Sequence, residues 1–367
     1  MGRSGIVARS LMATPFQIGV LQLSMEPVRE TVAMAKTCQD AGFDAFWIAE
    51  AYPWWRKHSF EARSSTAILA VIAAQTRRIH LGWGIISPYT RHPVQIAMEA
   101  RVMQDLAGER FLLGLGASKI FMKEIGEGEG ERVGPATVMR ESIEVIQGVL
   151  QGDAFEYKGK VFAASVPALK SDAPTPRGIP PIYIAATGPV LQKMSGSVAD
   201  GLLTASITTP EFVRYSRKNM EEGARQAGKD FSKLVLGSVI VGSISRDATK
   251  GKEGAREQAA MYLANKVQNI RGSADMLLQC AGLTFDELRP VAEAMEKGGR
   301  KAAAQAVNDE ILGKVCPIAG TPGECIERIE QYRDAGCTHI MLEIWGDDRV
   351  GQAKLFGEAV LPHFGRG

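Results

Sequence analysis

Cysteine is sparse in this chain and poorly placed for structural work. Five occur in 367 residues, Cys38, Cys280, Cys316, Cys325 and Cys337. The number is odd and no C-x-x-C pair is present, so a disulfide framework is not expected and a reducing, cytoplasmic location is. The five histidines, His58, His80, His92, His339 and His363, show neither H-x-x-x-H nor H-E-x-x-H spacing. No metal site is expected, and His80 and His339, inside apolar runs, read as satisfied core residues. A charge excess is also lacking. The formal net charge is +2 and the positive residues are scattered, which argues against nucleic acid or an anionic membrane as partner. No segment has the length and apolarity of a membrane span. The start MGRSGIVARSLMATPF lacks the apolar core of a signal peptide, and residues 1–14 read as a tail. There is no G-x-S-x-G elbow for a serine hydrolase. Nor does a G-x-G-x-x-G follow the first strand, where Gln22-Leu23-Ser24 stands instead.

What is present is a repeated alternation of short apolar runs and amphipathic helices. Strands are predicted at 16–21, 43–48, 79–84, 111–115, 182–185, 201–205, 234–244 and 339–344. Most are followed by a helical pattern. In one, Ile96, Ala97, Ala100, Val102, Met103 and Leu106 recur at helical spacing after Pro93. In another, Thr321, Pro322 and Glu324 form an N-cap, N1 and N3 capping box. Residues 152–166 read as a hairpin excursion. The segments QDAGFDAFWIAE (39–50) and RDAGCTHIMLEI (333–344) repeat one helix–glycine–strand device at opposite ends of the chain. Eight strands in this order predict an α/β fold, a (β/α)8 TIM barrel. Residues 248–314 carry only helical signals, so they read as a helical insertion after the seventh strand. The whole chain, 1–367, reads as one domain.

In such a barrel the chemistry lies at the carboxyl ends of the strands. Gly84-Ile85-Ile86-Ser87 and Gly116-Ala117-Ser118 end two neighbouring strands. With Ala186-Thr187-Gly188 they are small enough to let backbone N–H groups approach a phosphate or a flat ring, although tight rim turns would use the same residues. Glu50 ends the second strand, where a carboxylate could serve as acid or base, hydrogen-bond a cofactor or form a rim salt bridge. Lys119 follows the fourth-strand glycines and could meet an anion, stand with His58 as proton donor in place of Glu50, or simply be solvated. Trp54, Trp55 and His58 lie on the loop after Glu50 and could wall a substrate pocket or cover an interface. Arg91 and His92 open a helix at the same mouth, His92 reading as a structural hydrogen-bond donor.

Three runs carry a family resemblance: RIHLGWGIISPYTRHPVQIAMEARVMQDLAGERFLLGLGAS (78–118), PIYIAATGPVLQKMSGSVADGLL (181–203) and AGTPGECIERIEQYRDAGCTHIML (319–342). They resemble the luciferase-like flavin and deazaflavin oxidoreductases, and within these the branch that uses coenzyme F420, which includes methylenetetrahydromethanopterin reductases and sugar-phosphate dehydrogenases. The resemblance implies a TIM barrel and hydride transfer between reduced deazaflavin and a small organic substrate. Its alternatives are an FMN-dependent monooxygenase and a non-catalytic member that binds no cofactor. It places the ring over a bulge at Gly84-Ile85, with a cis peptide expected there. It assigns Glu50 and Ser87 to the ring. Gly116, Ala117, Ser118 and Met122 go to the loop that meets the cofactor, and Ala186, Thr187 and Gly188 to a phosphate-side turn. A homodimer is implied as well. The sugar-phosphate enzymes carry a histidine after the acidic residue and a glutamate beyond the fourth-strand glycines. Here Ala51 and Lys119 stand at those positions, so the resemblance supplies no proton donor.

Overall fold

The computed structural model describes residues 15–50, 61–117, 133–170, 178–268 and 273–365 of the chain. The expected tail, 1–14, lies outside them. The first half runs β1 (Gln17–Leu23), α1 (Val28–Asp40), β2 (Ala45–Ala49), α2 (Ser65–Gln75), β3 (His80–Trp83), α3 (Pro93–Ala107), β4 (Phe111–Gly116), α4 (Pro135–Gln151) and a hairpin of β5 (Phe155–Lys158) and β6 (Ala163–Val166). The barrel resumes with β7 (Ile182–Ala185), α5 (Pro189–Val198), β8 (Gly201–Thr204), α6 (Pro210–Gln226) and β9 (Val235–Ile244). Four helices follow, α7 (Ala248–Gln268), α8 (Ser273–Ala281), α9 (Phe285–Ala306) and α10 (Asp309–Val315). The chain then returns through β10 (Ile318–Gly320), α11 (Pro322–Asp334), β11 (His339–Ile344) and α12 (Arg349–Ala359).

Strands β1, β2, β3, β4, β7, β8, β9 and β11 pair in parallel in that order, and β11 pairs back onto β1. This is the closed (β/α)8 barrel expected from the strand count, with the helical insertion after its seventh strand. The short β10 was not legible as a strand. It extends the sheet by pairing Ile318 to Gly320 with Gly242 to Ile244 at the end of β9.

Side chains alternate across each strand, so one set fills the barrel and the other meets the helices. The interior set includes Leu21, Ala45, Trp47, Leu112, Tyr183, Leu203, Val239 and Met341. Trp47 is its largest member, and Gly82 must be glycine because a Cβ there would stand 2.1 Å from the Trp47 ring. The Trp47 indole N–H donates to His339 Nε2 at 3.1 Å, while His339 Nδ1 lies 2.9 Å from Gln17 Oε1. Both ring nitrogens are therefore satisfied in a neutral imidazole. Burial drives the His339 pKa down to about 3. This is the core histidine that the sequence suggested.

The helices pack outside. Thr321 and Glu324 form the expected capping box of α11. At α3, His92 is indeed structural, but as an acceptor: its Nδ1 takes the Val94 N–H at 3.2 Å. On that helix Ile96, Ala97, Ala100 and Met103 are buried, whereas Met98, Val102 and Leu106 are 57%, 51% and 41% exposed. The apolar pattern of α3 was thus wider than the face the barrel covers.

The insertion has its own apolar cluster, built from Ala255, Ala259, Leu263, Leu278, Leu288, Val291 and neighbours. That cluster also takes in Ile207 after β8, Val241 of β9 and Trp345 after β11. The insertion therefore lies over the carboxyl end of the barrel on the β8–β9–β11 side.

Candidate active site

The bulge at the end of β3 follows directly from the register. Gly82 pairs with Leu112 of β4, and the next bridge joins Ile86 to Leu115. The β3 side thus takes four steps where β4 takes three, and one extra residue is forced out of the ladder. The Gly84 N–H donates to Ile48 O at 2.8 Å, Ile86 N–H to Gly114 O at 3.1 Å, and Gly116 N–H to Ile86 O at 3.0 Å. The Ile85 and Ser87 N–H groups find no acceptor among the described residues. The expected cis bond at Gly84–Ile85 is not there, since no cis peptide occurs among the described residues. Trans amides already place the extra residue and keep both flanking ladder bonds, so the cost of a cis amide, roughly 3 kcal/mol, is avoided.

The glycines of β4 have a packing reason of their own. A Cβ on Gly114 would lie 1.9 Å from Trp83 O, and one on Gly116 would lie 2.8 Å from the Ile85 side chain. Across the mouth, Ala186 N–H donates to Leu203 O at 3.0 Å. Gly188 is the N-cap of α5, with no side-chain cap bond and open space around its Cβ position. The first-turn amides of α5 are therefore open to an anionic group. Orphan donors at the bulge and an uncapped helix start facing the same edge fit a ligand with an acceptor-rich ring and a phosphate, as a deazaflavin or flavin has.

Glu50 sits directly behind the bulge. Its N–H donates to Ile85 O at 3.2 Å. Its carboxylate takes two bonds from Arg91 Nη2, at 2.9 and 3.0 Å. Arg91 Nη1 also reaches Glu99 Oε2 at 3.3 Å, and Thr66 Oγ1 donates to the same oxygen at 2.9 Å. Burial raises the Glu50 pKa above the ordinary carboxylate range. Arg91 opposes the shift and Glu99 adds to it. Ala45, Trp47 and Ala49 are the inward positions of β2, so Glu50 continues the outward set. Its side chain turns towards the α2–α3 layer rather than the barrel axis. Ser87, 2% exposed, accepts the Tyr89 N–H at 3.3 Å.

Ala117 follows β4 at this rim. Ser118, Lys119 and Met122, and the loop residues Trp54, Trp55 and His58, lie outside the described residues.

A second mouth carboxylate escaped the sequence reading. Glu343 is one residue from the end of β11, on the inward face shared by His339 and Met341, and is 2% exposed. Tyr262 Oη donates to its Oε2 at 2.6 Å and Gln258 Nε2 to its Oε1 at 3.0 Å, both from α7. Burial lifts its pKa to about 7 against these donors. A glutamate inside the apolar run HIMLEI, in phase with His339, was the signal available.

Residues 9–339 match the family model described as luciferase-like monooxygenase, and the chain belongs to that family. Among its relatives, the 5,10-methylenetetrahydromethanopterin reductase of Methanopyrus kandleri is 30% identical, over 90% of this chain and 93% of that protein. The F420-dependent glucose-6-phosphate dehydrogenase of Nocardia farcinica is 28% identical, over 91% of this chain and 93% of that protein. The structure of the coenzyme F420-dependent tetrahydromethanopterin reductase from Methanopyrus kandleri superposes with a TM-score of 0.83 at 27% identity, covering 95% of this chain and 99% of that one.

Proposed function

We infer that this protein is a coenzyme F420-dependent oxidoreductase, and that it moves a hydride between the reduced deazaflavin and a small organic molecule in the barrel mouth. The observation that carries this is the bulge at the end of β3, with donors at Ile85 and Ser87 that find no acceptor among the described residues, in a chain similar to proteins described as F420-dependent. The bound deazaflavin supplies a two-electron hydride donor that reacts poorly with oxygen.

Gly84, Ile85, Ile86 and Ser87 seat the ring, and the Ile85 and Ser87 amides, without an acceptor among the described residues, stabilise charge on its polar edge. Gly116 and Ala117 border the ring, and Ala186, Thr187 and Gly188 offer backbone donors to the phosphate. Glu50 fixes the bulge through its N–H and, with Arg91, anchors the start of α3 behind it. In this reading Glu50 positions the ring. By family resemblance Ser118 and Met122 join the cofactor side; by their places on the mouth loops alone, Lys119 would meet an anionic group and Trp54, Trp55 and His58 would wall the substrate side.

The exposed stripe Met98, Val102 and Leu106 on α3, beside Val71 (41% exposed) on α2, supports a homodimer through this face. Sedimentation giving a monomer would remove that part. No described helix is long and apolar enough to cross a membrane, and all five cysteines are free. A cytoplasmic, single-domain enzyme without nucleic-acid or membrane partner fits both.

The second reading, an FMN monooxygenase, is favoured by the family model's description. Oxygen uptake separates the two: little with reduced deazaflavin supports the proposal, and sustained, substrate-dependent uptake with reduced FMN supports its rival.

A further inference from the structure

The mouth has two halves, and the ring occupies only the β3–β4 side in the reading above. The opposite side is roofed by α7 and holds Glu343. Its surroundings are those of a group that exchanges a proton, not of a structural ion pair. Among the described residues no cation lies within ion-pair distance of its carboxyl. Its direct partners are a phenol and an amide. The Trp345 indole N–H has no partner in good geometry, yet it is near enough to lower the carboxyl's pKa. Arg300 of α9 acts on Glu343 only at longer range, lying over the Trp345 ring at 5.4 Å, with Arg349 of α12 at 4.9 Å. His339, four residues back along the strand on the same face, is neutral, and Lys266, a turn beyond Tyr262, has no ion pair among the described residues.

The Ser206 side chain lies close enough to the Tyr262 phenol to oppose the rise that burial gives its pKa. Ser206 is only partly buried, on the loop that leaves β8 at the mouth. The next residue, Ile207, is held at φ 69°, a left-handed conformation rare for a β-branched side chain. It is 2% exposed and packed into the insertion's cluster. Strain of this kind persists where the surroundings over-determine a geometry, and here it fixes the loop that presents Ser206 to the phenol.

We propose that Glu343, Tyr262 and Ser206 form a proton relay serving the substrate half of the mouth. A single phenolic hydrogen faces two neighbours. With Glu343 ionised, Tyr262 donates to the carboxylate. With Glu343 protonated, the carboxyl donates to the phenol oxygen and the phenol turns to Ser206. When the substrate carbon gains its hydride, the charge left on the substrate's heteroatom takes the Ser206 proton, Tyr262 replaces it, and Glu343 replaces that of Tyr262. Water later reprotonates the carboxylate, and the reverse direction runs the same transfers backwards. Glu343 acts through other groups and is a positioning residue for the proton.

The relay rests on the oxidoreductase reading, so part of its test needs no cofactor. Carbon-13 spectra of glutamate-labelled, cofactor-free protein should show one carboxyl titrating near 7, lost in Glu343→Gln and moved upward in Tyr262→Phe, which removes a donor to the carboxylate. A Glu343 signal in the ordinary range near 4 would overturn the proposal. In holoenzyme that binds deazaflavin normally, Glu343→Gln and Ser206→Ala should each lower kcat by about 10²-fold without changing deazaflavin Kd. Glu343→Gln should also flatten the pH dependence of kcat around neutrality, and Glu343→Asp should restore it. An unchanged pH profile in Glu343→Gln would overturn the relay. Failure of wild-type protein to bind deazaflavin would count against the parent reading and leave the carboxyl titration as the judge of Glu343.

Discussion

Replacing Arg91 with Gln should weaken the whole rim behind the bulge, and the size of the effect can be bounded from the geometry. One guanidinium serves two carboxylates, with contacts of 2.9 and 3.0 Å to Glu50 and 3.3 Å to Glu99. The side chains of Arg91, Glu50 and Glu99 are 18%, 11% and 20% exposed. A fully exposed pair would be worth about 0–1 kcal/mol, and breaking a fully buried one costs about 3–5 kcal/mol. This site lies between, so Arg91→Gln should cost about 2–3 kcal/mol in urea unfolding. The pH dependence fixes the cause. Without Arg91, burial and Glu99 both raise the Glu50 pKa and no counter-ion opposes them. A carboxyl whose folded pKa exceeds its unfolded value stabilises below the unfolded value and loses that contribution as pH rises through the folded one. The destabilisation of Arg91→Gln should therefore grow as pH rises from the acid side towards neutrality. A loss below about 0.5 kcal/mol, or one that shrinks as pH rises, would refute the assignment of Arg91 as the counter-ion of a buried Glu50.

Three further outcomes follow from the same structure. Glu141 of α4, 6% exposed, accepts the N–H groups of Lys160, Val161 and Phe162 at 2.8, 2.9 and 3.0 Å; Glu141→Ala should cost about 2–3 kcal/mol, read by unfolding and by faster amide exchange confined to the β5–β6 hairpin. Those three bonds hold its pKa below the ordinary value against the effect of burial, so its contribution should be present at neutral pH and fade as pH falls through the folded value. Gly188→Asp should weaken deazaflavin binding about tenfold or more by setting a carboxylate at the phosphate end, measured by fluorescence titration; unchanged affinity in a folded variant would count against this pocket. Glu50→Gln should change deazaflavin affinity while turnover at saturation largely survives, whereas a 10²–10⁴-fold fall in turnover at unchanged affinity would make Glu50 the general acid instead.

Much of the barrel was legible because its signals are local. The capping box at Thr321 and Glu324, the proline at the start of α3 and the glycine breaks between helix and strand each act within a few residues. The bulge was legible only through family resemblance, since its register depends on β4, which lies about thirty residues on. The role of Glu343 was hidden for the same reason: Tyr262 is 81 residues away in sequence, and periodicity cannot announce such a contact. Gly116 read as ligand-facing, yet the Ile85 side chain already occupies the space its own side chain would need, as Trp83 O does at Gly114. The direction of Glu50 depended on the phase of β2, fixed by Trp47 filling the barrel. Val102 and Leu106 looked like core because composition does not reveal how wide a face the barrel can cover.

The central claim, that the mouth is built for a deazaflavin, is tested most directly by titrating the purified protein with coenzyme F420 and, separately, with FMN while following cofactor absorbance and fluorescence. Saturable binding of F420 in the micromolar range or tighter, about −8 kcal/mol, with FMN at least tenfold weaker, is the expected result. Tight FMN binding with no saturable F420 signal would contradict it.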